Sequence, residues 1–216
     1  AAIRDRSSRY HRIMIKRIAL FAVGTLIGLA LLFGGVWVYR TYIAPPPLRG
    51  VAIESPRPAY DFQLQSGGDQ TVRLSQFRGK VVALYFGYTF CPDVCPATLA
   101  QVSEAMKQLG GDADRVQLIM ISVDPERDTP GEVQNYVQAF DPRFIGLTGD
   151  LDTLTRISTE FGVVFQKHPG SEATGYLIDH TATLTVVDRD GYARLIMPFG
   201  VAGADIASDM RYMLTH

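Results

Sequence analysis

The chain has 216 residues, 47% of them hydrophobic, with 21 Lys and Arg against 22 Asp and Glu and only two cysteines. That length and balance fit one globular domain plus an additional segment. Charge is unevenly spread: residues 59–216 carry 12 basic and 20 acidic side chains, a net of −8, which argues against nucleic acid as a partner.

The additional segment comes first. Residues 1–17 are a basic tail in which Arg4, Arg6, Arg9, Arg12, Lys16 and Arg17 face Asp5 alone, a net of +5. Residues 18–39 follow as 22 residues without a formal charge. At about 1.5 Å per residue they reach roughly 33 Å, enough to cross a bilayer core. A cleaved signal peptide would have a shorter apolar region ending in small residues, whereas this run ends in Trp37, Tyr39 and Tyr42, side chains suited to a membrane interface. The span is therefore expected over 18–42. Gly24 and Gly28 form a G-x-x-x-G that can let another helix approach, the alternative being the chance match common in Gly-rich membrane helices. Positive charge is retained on the cytoplasmic side, so the rest of the chain is expected outside, in a bacterial periplasm or, as the alternative, its mitochondrial counterpart.

Residues 43–58 contain Pro45, Pro46, Pro47, Pro56 and Pro58 and read as a stiff spacer. The domain is then expected over 59–216. It opens with a hairpin of 61–64 and 71–74 around Ser66-Gly67-Gly68-Asp69, followed by a buried strand at 80–86, where apolar residues run without alternation. A helix at 97–109 puts Leu99, Val102, Met106 and Leu109 on one face. A second buried strand covers 116–123. Thr129-Pro130-Gly131-Glu132 is a capping box with Pro at the first helical position, opening a helix that runs to about Phe140. Further on come a helix at 151–161, a short strand at 163–167, a hairpin of 183–187 and 192–196 about a tight turn, and a terminal helix at 204–214. Strand–helix–strand followed by an antiparallel hairpin and a helix predicts an α/β, thioredoxin-like domain carried on a single N-terminal transmembrane helix.

The chemistry lies in Cys91-Pro92-Asp93-Val94-Cys95-Pro96, directly after the first buried strand. A sulfur where a helix begins has its thiolate stabilised by backbone N–H groups and the helix dipole. C-x-x-C would point to a dithiol switch; with three intervening residues both sulfurs project to one side, one turn apart. Two such thiolates suit Cu(I), with an imidazole as third donor. The same spacing permits a disulfide, so thiol–disulfide exchange is the principal alternative, and a plain structural disulfide the other. A five-residue loop is a weak staple for that last role.

Four histidines are available. His11 falls on the far side of the expected membrane span, His216 is the last residue, and His168 precedes Pro169-Gly170 in what reads as an exposed loop. His180, in Tyr176-Leu177-Ile178-Asp179-His180-Thr181, occupies a loop that a thioredoxin-like fold brings beside the cysteine turn. Many such folds have a cis-proline there, yet no proline occurs between Pro169 and Pro198. A core imidazole satisfied by backbone is the alternative for His180. Asp179 can orient its ring or cap the local turn, and Asp93 can tune the site or cap the helix. Asp124, Glu126 and Arg127 are read as bracing, with partner recognition as the other possibility.

These residues resemble the Sco/SenC family of copper-binding, membrane-anchored thioredoxin-like proteins. The likeness runs through Phe86-Gly87-Tyr88-Thr89, the cysteine segment, Val123-Asp124-Pro125-Glu126-Arg127-Asp128-Thr129-Pro130, Phe144-Ile145-Gly146-Leu147-Thr148-Gly149 and Asp179-His180. One departure is Phe90, where several relatives carry His. The resemblance implies copper, as Cu(I) or Cu(II), bound by Cys91, Cys95 and His180. It further implies delivery of that copper to cytochrome c oxidase during assembly, usually to subunit II, or reduction of the cysteines of that copper centre. Other copper chaperones or thiol reductases are further candidate partners. The chain is thus expected to be a metallochaperone rather than an enzyme, with Cys91 and Cys95 redox-capable.

Overall fold

A computed structural model describes residues 2–40, 48–171 and 175–216. It divides into two compact units, residues 1–46 and 47–216. The first is one long helix, α1 (Ala2–Val38), whose stretch Leu20–Val38 has a mean hydropathy of 2.1 and no buried part, so it is long and apolar enough to cross a membrane. Tyr42 and the prolines at 45–47 lie outside the described residues.

The second unit is built on a six-stranded sheet. In chain order its strands are β1 (Val51–Pro58), β4 (Val81–Gly87), β5 (Val116–Ser122), β6 (Ile145–Leu147), β9 (Thr183–Val187) and β10 (Tyr192–Pro198). The spatial order is β1-β10-β9-β4-β5-β6, with β4, β5 and β6 parallel and the other pairings antiparallel. Two hairpins stand apart from it: β2 (Gln63–Ser66) with β3 (Gln70–Arg73), and β7 (Phe165–Pro169) with β8 (Tyr176–His180). The central strands β4 and β5 are buried at every position, which explains their unbroken apolar runs: each lies in a sheet covered on both faces.

Helix α2 (Val94–Leu109) leads from β4 to β5 and packs with the terminal helix α5 (Gly203–Thr215). Between β5 and β6, α3 (Pro130–Gln138) begins at the expected capping box, in which Thr129 and Glu132 satisfy each other's backbone N–H groups. It packs on β6. Helix α4 (Leu151–Glu160) starts at Asp150, whose carboxylate accepts from the Thr153 N–H at 2.8 Å. Phe161, just beyond it, sits within 6.1 Å of the Phe62 ring and 5.9 Å of the Phe86 ring, closing the core over β4.

This α/β, thioredoxin-like arrangement agrees with the fold read from the sequence, with three local differences. The spacer expected to continue to 58 gives way to β1 at Val51, so the sheet begins before residue 59. Its prolines are tolerated because β1 is an edge strand, paired only with β10 and interrupted between Ala52 and Arg57. What secures the approach to β1 is a buried carboxylate: Asp209 on α5 accepts from the N–H groups of Arg49 at 3.0 Å and Gly50 at 2.8 Å. Second, β6 is a three-residue strand too short to read from periodicity. Third, Tyr176–His180 is a strand, not a loop: β8 pairs with β7 in a hairpin that sets Phe165 opposite His180.

Candidate metal centre

Between β4 and α2 the chain makes a turn held from below. Asp128, buried before α3, accepts from the Thr89 N–H at 2.9 Å, the Thr89 hydroxyl at 2.5 Å and the Ser122 hydroxyl at 2.5 Å. The acidic end of the Asp124–Asp128 segment thus fixes the loop that carries Cys91. Cys91 itself is half-buried, and its N–H bonds to the Tyr88 carbonyl. Asp93 holds the N-cap position of α2, but its side chain makes no capping bond. The Cys91 sulfur takes that place, accepting from the Cys95 N–H at 3.4 Å. An anion at a helix N-terminus is stabilised by those N–H groups.

Cys95 is fully buried on the first turn of α2. Its sulfur leans on Gly87 at the end of β4: a Cβ built there would lie 2.9 Å from Cys95 Sγ and 3.0 Å from the Tyr85 ring. Only glycine admits so close an approach. His180, at the end of β8, brings its Nε2 to 3.3 Å from Cys95 Sγ. The two sulfurs and one ring nitrogen lie within 4.8 Å of one another, and both cysteines are unbridged. The three residues singled out in the sequence therefore meet in space. His168 and His216 stand elsewhere: His168 pairs with Asp179 at 3.1 Å, and His216 stacks on Tyr212 at 4.2 Å between ring centroids.

The ring of His180 stands edge-on to two tyrosines, with centroids 6.0 Å from Tyr85 and 6.0 Å from Tyr88. Its Nδ1 is buried without a hydrogen-bond partner among the described residues. Of the two roles open to Asp179, orienting this ring is not the one it has. Its carboxylate is 81% exposed and engages His168, because neighbouring residues on a strand point to opposite faces. Tyr85 and Tyr88 were not anticipated as part of the site. Inside the apolar run of β4 a tyrosine reads as core, and only the return of β8 reveals what its ring touches.

The two thiols are electrostatically unequal. A hydrogen bond from Cys95 is the chief reason that Cys91 is lowered from its ordinary 9.0 to about 4, helped by His180 and by the N–H groups of Cys95 and Asp93, against an opposing effect of burial. Cys95 is pushed strongly up, first by that same interaction with Cys91 and then by burial. Tyr85 is pushed up too, by burial and next by Cys95. The pair is thus polarised, with the thiolate favoured at Cys91 and the thiol at Cys95. A pH profile of iodoacetamide labelling checks this: Cys91 should remain reactive from neutral pH down to about pH 5 and fade only as pH approaches 4. A profile rising near pH 9 would contradict it. A depressed Cys91 also stabilises the reduced fold, fully above its ordinary 9.0, and that contribution is lost as pH falls towards about 4.

Chemically, two sulfurs and an imidazole form a soft, three-donor set with an open side, suited to a thiophilic metal ion and to ligand exchange on it. Proteins of known sequence and structure resemble this chain. The mitochondrial SCO2 homolog of Bos taurus is 37% identical over 133 residues, covering 61% of this chain and 50% of that protein. The chain spans about half the length of such mitochondrial relatives. Among solved structures, apo Sco1 from Thermus thermophilus is 39% identical with a TM-score of 0.70, covering 77% of this chain and 97% of that one. The copper-bound ScoI of Bradyrhizobium japonicum is 38% identical with a TM-score of 0.66, covering 73% and 99% respectively. The family described as SCO1/SenC matches residues 52–215, nearly the whole second unit and its cysteine–histidine constellation, and the chain belongs to that family.

Proposed function

We propose that this protein is a membrane-anchored copper metallochaperone that holds copper through Cys91, Cys95 and His180 and delivers it to cytochrome c oxidase during assembly, subunit II being the acceptor. The observation that carries the reading is the convergence of two sulfurs and one imidazole nitrogen within 4.8 Å. The copper-bound relative supports the choice of metal. The apolar stretch Leu20–Val38 supports anchoring, and the basic residues before it support a cytoplasmic tail with the copper domain in the periplasm.

Transfer on this reading is stepwise ligand exchange. Three donors leave copper an open side at which an incoming thiolate or imidazole adds before one of the chain's own donors departs. Cys91, half-buried and already a thiolate, is the sulfur that meets the acceptor; Cys95, fully buried, is the last to let go. The same asymmetry supports a second reading, thiol–disulfide exchange, in which the Cys91 thiolate attacks a disulfide of the target and Cys95 resolves the mixed disulfide.

Cu(I) titration of the reduced full-length chain in lipid nanodiscs, against a chromogenic Cu(I) chelator, tests the metal reading. One tightly held equivalent is expected, and none after both thiols have been alkylated. Equal uptake by both samples would overturn it.

A further inference from the structure

The hairpin that delivers His180 is not part of the main sheet. Besides burying Ile178 in the core, it is joined to the domain through a compact polar cluster on the Asp124–Arg127 turn. The buried carboxylate of Asp124 accepts from the Tyr176 hydroxyl at 2.6 Å and from Arg127 Nε at 2.6 Å. The Arg127 guanidinium carbon lies over the Tyr176 ring, 3.6 Å from its centroid, and Arg127 donates to the Tyr176 carbonyl at 3.1 Å. The same guanidinium sits 4.7 Å from the ring of Phe90, the residue before Cys91. Lys167 on β7 pairs with Glu126 at 2.6 Å and lies 4.0 Å over the Tyr176 ring. Closer to the site, the Ile178 N–H donates to the Tyr88 hydroxyl at 3.3 Å, and Tyr88 is one of the two rings against His180.

We infer that Asp124, Arg127 and Tyr176 form a clasp that seats His180 against the cysteine pair, and that opening it withdraws the imidazole as one body with its hairpin while leaving the two sulfurs in place. Among the described residues His180 Nδ1 has no hydrogen-bond partner; the ring meets Cys95 Sγ through Nε2 and the edges of Tyr85 and Tyr88, while β8 places its backbone. The first residue of β8 is Tyr176, bound at its ring, its hydroxyl and its carbonyl by the two partners on the Asp124–Arg127 turn. These are positioning residues: none touches a sulfur or the imidazole. A part-buried, charge-assisted cluster is strong when every member is paired and costly when one is left unpaired. The inference deepens the copper reading, since it names what sets the third donor.

Two variants in the full-length reduced chain test it: Tyr176→Phe, which removes the hydroxyl and keeps both the ring and the Asp124–Arg127 pair, and Asp124→Asn. With ring-labelled histidine, nuclear Overhauser effects between His180 and the Tyr85 and Tyr88 rings should weaken at least twofold in both variants. The His168–Asp179 pairing lies within the hairpin and should be unchanged. Cu(I) affinity should fall by about tenfold or more, in the range found when partners that orient a ligand are lost. Iodoacetamide labelling of Cys91 at pH 7 should stay within twofold of the original. Should Asp124→Asn unfold, Tyr176→Phe carries the test, with its melting curve as the check on folding. Overhauser effects that persist undiminished in a folded Tyr176→Phe overturn the clasp, whatever copper does. Weakened effects with copper affinity unchanged uphold the clasp and overturn His180 as a ligand.

Discussion

Replacing His180 by alanine is expected to lower Cu(I) affinity on the order of a hundredfold, about 2.7 kcal/mol, and to leave the dithiol chemistry standing. Loss of a partner to a ligand already costs about 10–100-fold in metal sites, so loss of the donor itself belongs at or beyond the upper end. The geometry sharpens the expectation. His180 Nε2 is 3.3 Å from Cys95 Sγ, and no other histidine of the second unit is placed to substitute, since His168 is engaged by Asp179 and His216 by Tyr212. His180 is only a secondary influence on Cys91, whose thiolate rests first on Cys95, so labelling at neutral pH should scarcely change. Chelator competition on the reduced variant measures the affinity, and exchange with a small disulfide measures the thiols. An unaltered copper constant would leave a two-sulfur site and remove the imidazole from the mechanism. A collapse of thiol exchange together with affinity would mean that the substitution had disturbed the cysteine turn itself.

Gly146→Ala is expected to cost about 3 kcal/mol or more of stability. A Cβ at this position would lie 2.5 Å from the carbonyl oxygen of Val133, 2.6 Å from its carbonyl carbon and 2.8 Å from the Gln134 nitrogen. These are backbone atoms of α3, which cannot rotate aside as a side chain would. Gly146 is also bound on both sides, donating to Gln134 Oε1 at 2.9 Å and accepting from the Ser66 hydroxyl at 2.9 Å. Relief can come only from lifting α3 off β6. Because the helix begins shortly after Asp128, that movement pulls on the turn beneath Cys91. Urea unfolding measures the cost. Gly111→Ala, where a Cβ meets nothing within 4 Å, is the control and should fall within about 0.5 kcal/mol of the parent. Equal midpoints for the two variants would contradict the close helix–strand approach.

The imidazole seat and the helix–strand approach at Gly146 are hidden in the chain, whereas its local chemistry was legible. An uncharged run of 22 residues after a basic tail announces a helix long and apolar enough to cross a membrane, unbroken apolar runs announce β4 and β5, and Thr129-Pro130-Gly131-Glu132 announces the start of α3. The position of Cys91 and Cys95 around a helix start follows from a buried strand ending just before them, because a few residues of turn permit little else. Each of these is decided within one continuous stretch of chain, where hydropathy, steric and hydrogen-bonding preferences act without help.

What tertiary contact decided lies where local preference is weak or misleading. Pro56 and Pro58 favour a linker, yet β10 offers an edge at which missing N–H groups cost nothing and Asp209 holds the entry to β1. Tyr176–His180 carries little strand signal alone, and becomes β8 only through pairing with β7 and the hold of Asp124 and Arg127. Asp179, beside the imidazole in sequence, turns away from it because a strand alternates its faces. The sequence by itself therefore determined which donors exist and that two of them are neighbours. Bringing the third across 85 positions to 3.3 Å was left to the sheet order and the hairpin clasp, since closing so long a loop is an entropic cost that only non-local contacts can offset.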